Sequence, residues 1–420
     1  MNLPIEKEQN RESLRSDHAK FEAAYNAYQE QSLNLDITRG KPSAAQLDLA
    51  NDLLSLPGEK FLDNGVDTRN YGGLDGLPGM KLLFAEILDV PEANVIIGGN
   101  SSLTMMFDTL SRACLFGVPG GETPWSHVPG RKFLCPVPGY DRHFRITEHL
   151  GFQLIPVDMD DNGPDMDKVE ELVASDPDIK GIWCVPRYSN PTGCCYSDEV
   201  IQRLATMSAP ADFRIMWDNA YAEHHLDQPG KPLANILSLC ASAGNPNRAI
   251  EFASTSKISH PGSGVAALAA SEENIADAKR HLEVQTIGPD KVNQIRHLQL
   301  FGNLDGLRAH MKRHAALIKP KFDLVDEILT RELAELGIAH WTRPTGGYFI
   351  SLDVPDGTAR RVIELAAKAG VKLTGAGAPF PYGRDPHDRN IRIAPTFPAL
   401  EEVGLATEVL ATCVKLAASE

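Results

Sequence analysis

The sequence predicts an α/β protein: a large domain with a mostly parallel central sheet flanked by helices, and a smaller α+β domain beside it. Three observations predict it. Strand-like and helix-like segments alternate through residues 132–217, the pattern of successive parallel crossovers. Polar and glycine-containing turns stand after several strand-like segments, where open α/β sheets bind their ligands. A chain of 420 residues with 42% hydrophobic content is long enough for two or three cores, and no repeat or low-complexity linker interrupts it. The expected division is an N-terminal segment (1–50) packing with the small domain, a large domain (51–300) and a small C-terminal domain (301–420).

Residues 5–31 read as a polar helix with Phe21, Tyr25 and Tyr28 on one stripe. Residues 33–37 alternate like a short strand and run into Thr38-Arg39-Gly40-Lys41-Pro42-Ser43, a turn bearing two cations. Tyr71 opens the glycine-rich loop 71–80, which feeds an amphipathic helix at 81–88. A buried strand at 94–97 leads through Gly98-Gly99-Asn100-Ser101-Ser102 into a helix at 103–116. Free backbone N–H groups and the helix dipole make such a start an anion site, although an ordinary helix cap has the same appearance. It is neither G-x-G-x-x-G nor a Walker loop, which disfavours a dinucleotide or ATP.

Strands follow at 132–136, 152–157, 181–185 and 213–217, with helices at 140–150, 166–174 and 197–207. Asn190-Pro191-Thr192-Gly193 comes after the third strand, and Asp218-Asn219-Ala220-Tyr221 after the fourth. A further strand at 249–253 ends in Ser254-Thr255-Ser256-Lys257-Ile258-Ser259-His260-Pro261-Gly262-Ser263-Gly264. Helices are expected at 272–282 and 290–329, the latter broken near Gly302 and Gly306, and strands at 348–352 and 390–394.

The net charge of -15 argues against nucleic acid or an anionic membrane as the main partner and favours small molecules. Seven cysteines without a C-x-x-C pair fit reduced thiols better than a disulfide framework or a metal site. No apolar run reaches the roughly 18 residues of a membrane helix, and the charged N-terminus lacks the apolar stretch of a signal peptide. A cytoplasmic location is expected.

Lys257, at a strand end among small hydroxyl residues and glycines, is placed to lose its solvation, which lowers its pKa and frees the amine to attack an aldehyde. Asp218 suits a ring nitrogen that must stay protonated. Asn190 and Tyr221 suit a ring hydroxyl oxygen, and Tyr140, in Pro138-Gly139-Tyr140, suits a ring face. Pyridoxal phosphate has all of these features.

With those residues the chain resembles the fold-type I pyridoxal-phosphate aminotransferases. It is most similar to a divergent bacterial aspartate aminotransferase subgroup, the MocR-like aminotransferases without the DNA-binding domain. The resemblance runs from about residue 35 to the C-terminus. It rests on segments 38–43, 71–79, 98–103, 189–193, 218–221 and 254–264, on Gly346-Gly347-Tyr348-Phe349 and on Arg392-Ile393-Ala394-Pro395.

The resemblance implies that Lys257 bonds to the cofactor and acts as acid and base, that Asp218 pairs with the ring nitrogen, and that Asn190 and Tyr221 contact the ring oxygen while Tyr140 stacks. Gly99, Asn100, Ser101, Ser254 and Ser256 would hold the phosphate, and Tyr71 would reach the phosphate of the neighbouring subunit in a homodimer. Arg392 would grip the substrate α-carboxylate as a bidentate fork, with Gly40 contributing backbone. An arginine usual some eight positions after the lysine is missing; either Ser263 with nearby N–H groups replaces it or another cation reaches in. For a distal carboxylate the candidate cation is Lys291 of the other subunit, in Pro289-Asp290-Lys291, with Arg39 and Lys41 as rivals. The implied activity is ping-pong transfer of an amino group between an amino acid, aspartate first, and a 2-oxo acid, 2-oxoglutarate first. The alternatives are a lyase or decarboxylase on the same scaffold, or a non-catalytic regulatory relative, which the acidic charge opposes.

Overall fold

The computed structural model describes residues 8–420. Residues 5–7 of the expected N-terminal helix lie outside them. Eight strands form one sheet: β1 (Val95–Ile97), β2 (Lys132–Val137), β3 (Gln153–Asp160), β4 (Gly163–Pro164), β5 (Ile179–Cys184), β6 (Arg214–Asp218), β7 (Ala249–Ser254) and β8 (Ala266–Ala270). Their order is β1-β8-β7-β6-β5-β2-β3-β4. The pairs β7–β6, β6–β5, β5–β2 and β2–β3 are parallel. Antiparallel pairing is confined to the ends, where β8 lies between β7 and β1, and β4 returns along β3.

Every residue of β5, β6, β7 and β8 is buried. Such continuous burial belongs to a sheet covered on both faces. The pleat divides β5 accordingly: Trp183 enters one core with Phe133 and Phe252, while Ile182 and Cys184 enter another with Ile201 and Leu204. Because β2, β5, β6 and β7 are parallel, their carboxyl ends reach one edge of the sheet. The loops carrying Tyr140, Asn190, Tyr221 and Lys257 are therefore delivered together.

The framing helices include α1 (Glu8–Ser16), α2 (His18–Gln29), α3 (Ser102–Phe116), α4 (Asp141–His149), α5 (Lys291–Phe301), α6 (Leu304–Leu329) and α7 (Leu400–Ser419). A second, antiparallel sheet has the order β9 (His340–Trp341), β10 (Ile350–Asp353), β11 (Asn390–Ile393). Phe21 and Tyr25 of α2 are buried in one core with Leu410 and Val414 of α7, and Tyr28 packs against it, so the predicted stripe is the buried one. The expected strand at 33–37 is Leu35–Asp36, paired in parallel with Val371–Lys372.

Two expectations are corrected. The N-terminal helix divides at Asp17 into α1 and α2. The 290–329 helix breaks only at Gly302, which has φ 74°, and Asn303. Gly306 stays inside α6 because the Asn303 side chain caps that helix by accepting from the Gly306 N–H at 3.0 Å.

Glu251 is buried in β7 and accepts from Asn219 Nδ2 at 2.9 Å. Burial pushes its carboxyl up to about 8, against the Asn219 hydrogen bond, which opposes the rise. A folded-state pKa raised above the ordinary 4.5 contributes stability that is full below 4.5 and lost as pH rises through about 8. Glu251→Gln is therefore expected to raise Tm by about 2–4 °C at pH 9 and to change it little at pH 5, in thermal melts of both proteins.

Candidate active site

A cavity of about 440 Å³ opens where the carboxyl ends of β2, β5, β6 and β7 converge. Its walls bring together Gly40, Ser101, Tyr140, Asn190, Asp218, Tyr221, Ser254, Ser256, Lys257 and Arg392, supplied by segments separated by up to some 350 residues of chain. A larger cavity of about 1490 Å³, bordered by Glu223, Asp227 and Arg308, contains none of these side chains.

Lys257 follows β7 in a tight turn: the Ile258 and Ser259 N–H groups both donate to the Thr255 carbonyl at 2.9 Å. Tyr348 Oη donates to the Lys257 carbonyl at 3.2 Å, and the His310 ring meets the Ile258 carbonyl at 2.8 Å. The lysine backbone is thus pinned while its Nζ lies 5.0 Å from the Tyr221 ring centre. Burial lowers the ammonium pKa, and nearby Asp218 opposes that shift.

Asp218 ends β6 and is buried. Its Oδ2 is 2.8 Å from His143 Nε2. The His143 ring is stacked on Trp183 at 4.2 Å with 7° between planes, which fixes the carboxylate from behind. Oδ1 is buried with no partner. An orphaned carboxylate oxygen in the cavity wall is costly unless a cation or donor meets it. Burial, with Asp218 and Asp141 nearby, pushes the Tyr140 phenol up to about 12, and burial likewise raises that of Tyr221.

A helix start and two serine hydroxyls also line the cavity. Ser101 occupies the N-cap of α3 without bonding the helix through its side chain, and Ser101, Ser102 and Leu103 all line the wall. The hydroxyls of Ser254 and Ser256 are 3.1 Å apart. Gly99 and Asn100 lie outside the lining and support it. The Gly99 carbonyl accepts from Ala266 N at 2.9 Å, and the Asn100 carbonyl accepts from Ser256 Oγ at 3.3 Å. Ser263 is also outside, its carbonyl accepting from Asn293 Nδ2 at 2.7 Å. Val265, eight positions after the lysine, is buried in a core with Ile97 and Ile258, so a charged side chain there would displace that core.

Arg392, on β11, donates to Asp141 Oδ1 at 2.9 Å and to Asn190 Oδ1 at 3.4 Å, and stands 5.1 Å from the Phe349 ring centre. Gly40 packs against the tip of that same phenylalanine ring. A Cβ at Gly40 would lie 2.4 Å from Phe349 Cζ, so only glycine allows this approach.

Besides Gly99, Asn100 and Ser263, two further predicted residues lie outside the cavity lining, Tyr71 and Lys291. Tyr71 is 83% exposed. Lys291 is buried at the start of α5 and its ammonium donates to the Gly72 carbonyl at 2.6 Å, holding the loop that carries Tyr71. Sequence reasoning missed His143 behind Asp218, and Arg142 and Arg145 in the cavity wall. Their signal was the spacing on α4, legible only once that helix start is known to face the cavity.

The profile of the family described as aspartate amino-transferase matches residues 10–420. The chain belongs to that family. A Corynebacterium glutamicum aspartate aminotransferase is 49% identical over 96% of this aminotransferase and 94% of its own length. A Mycolicibacterium smegmatis relative is 55% identical, covering 98% and 97% of the two chains. The crystal structure of an aspartate transaminase from Corynebacterium glutamicum superposes on the aminotransferase with a TM-score of 0.95 at 48% identity, over 97% of each chain. At 21% identity the fold is still shared with the Thermus thermophilus α-aminoadipate aminotransferase complexed with N-(5'-phosphopyridoxyl)-L-leucine, at a TM-score of 0.74.

Proposed function

We propose that this aminotransferase uses pyridoxal phosphate and moves the amino group of aspartate to 2-oxoglutarate by a ping-pong route. We also propose that it works in the cytoplasm as a homodimer in which Tyr71 of each subunit reaches the other's site. The observation that carries the reading is the unpartnered Oδ1 of buried Asp218, in one cavity with Lys257 and the α3 start. A protonated pyridine nitrogen satisfies that oxygen, and a phosphate satisfies the helix N-terminus. The names of the Corynebacterium relatives support aspartate as substrate.

When bound, the cofactor supplies an electron sink for the carbanion formed at the substrate α-carbon. The protein does the rest. Asp218, held by His143, keeps the ring nitrogen charged. Tyr140 covers the ring, while Asn190 and Tyr221 orient its oxygen. Arg392 would fix the substrate α-carboxylate and turn the α-hydrogen towards Lys257, whose Nζ, its pKa lowered by burial, would take that proton and hold it as the ammonium.

Absorbance of the purified chain loaded with pyridoxal phosphate tests this. Aspartate should bleach the lysine-bound cofactor band and 2-oxoglutarate should restore it, each without the other present. Absence of any such band with Lys257 intact would sink the reading, and release of pyruvate and ammonia without an acceptor would mark a lyase instead.

A further inference from the structure

We infer that Arg142, with Arg145 one turn behind it, binds the distal carboxylate of a dicarboxylic substrate from within the same subunit. This rests on the aminotransferase reading above and deepens it. The cavity is lined by six cationic side chains and two acidic ones. Lys257 faces Asp218, Arg392 is paired with Asp141, and Lys41 lies 3.7 Å from the Phe397 ring centre. Arg39, Arg142 and Arg145 line the same wall, and among the described residues none of their side chains makes an ion pair or a hydrogen bond. One phosphate and one α-carboxylate, already provided with a helix N-terminus, hydroxyls and Arg392, do not account for that surplus.

Arg142 and Arg145 are the best placed of the three. They stand three residues apart in the first turns of α4, hence on one face, and both are exposed into the cavity. Tyr140 stands two residues before Arg142, and Tyr140, Arg142, Arg145 and Arg392 all line the one cavity. An amino acid held by its α-carboxylate on Arg392 thus has the free guanidiniums of Arg142 and Arg145 in the same cavity to meet its side chain. Arg39 sits on a loop, with no helix to fix it. Lys291 is engaged with the Gly72 carbonyl of its own chain.

The test uses the cofactor-loaded protein, with Arg142→Ala, Arg145→Ala and Arg142→Lys. Two quantities are measured: succinate binding by calorimetry, and half-reaction kcat/KM for aspartate and for alanine. Arg142→Ala should weaken succinate binding and lower kcat/KM for aspartate by about 100-fold, with a loss for alanine at least about tenfold smaller. Arg145→Ala should act in the same direction more weakly, and lysine at 142 should recover part of the loss, since it keeps the charge without the fork. Equal losses for aspartate and alanine would overturn the inference. So would loss of bound cofactor in Arg142→Ala, which would make these arginines phosphate ligands, or a wild type that prefers alanine. A wild type with no half-reaction towards any amino acid would instead overturn the aminotransfer reading itself.

Discussion

Lys257→Ala is expected to lower the transamination rate by at least about 10⁴-fold while leaving Tm close to that of the wild type. The asymmetry follows from what the residue contributes. Its structural bonds are made by backbone: the carbonyl accepts from Tyr348, and the turn is closed by Thr255 with Ile258 and Ser259. Alanine keeps all of these. The side chain contributes an amine whose charged form is disfavoured by burial, so that a larger fraction is available as nucleophile and base than for a solvated lysine. Lys257→Arg separates charge from chemistry, since arginine retains the cation but cannot take the proton. Its loss should match that of alanine. Borohydride reduction of the wild type should leave the cofactor on the peptide containing Lys257 and nowhere else. A variant rate within about tenfold of wild type would remove Lys257 from the centre of the reaction.

The fold was legible because its signals are local. The strands β5, β6 and β7 read as apolar runs, and their parallel order follows from the helices between them. The candidate residues at strand ends were legible for the same reason, since topology sends those ends to one edge. What stayed hidden depends on which way a side chain turns. Arg142 and Arg145 look like the solvated face of an amphipathic helix until the start of α4 is seen to form a cavity wall. His143 gains its meaning from Asp218 and Trp183, which lie on two other elements. Lys291 follows a sound capping pattern, with Asp290 accepting from Asn293 N at 2.9 Å, but that pattern does not show its ammonium turning back to Gly72. Position 265, where the resemblance leads one to expect an arginine, is buried in a core, which is visible only in three dimensions.

Asp218→Asn is expected to have opposite consequences for the protein with and without its cofactor. In the free protein, Asp218 is a buried carboxylate with one oxygen on His143 and the other unpaired. Replacing such a charge by a neutral isostere removes a desolvation penalty, so the cofactor-free variant should melt at or above the wild type. On the proposed reading, the same charge in the loaded protein meets the ring nitrogen and keeps it protonated. The variant should therefore lose about 10³-fold in turnover and much of the Tm increment that pyridoxal phosphate confers on the wild type. Asp218→Glu keeps the charge but overfills a site bounded by His143 and Trp183, and should recover only part of either quantity. Paired thermal melts with and without pyridoxal phosphate, alongside steady-state rates, separate this from simple misfolding, which would lower both melting temperatures together. A lower Tm in the cofactor-free variant with an undiminished cofactor increment would show that Asp218 serves the fold. The opposite signs would mark a carboxylate whose cost is carried by the empty protein and offset only when the ring arrives.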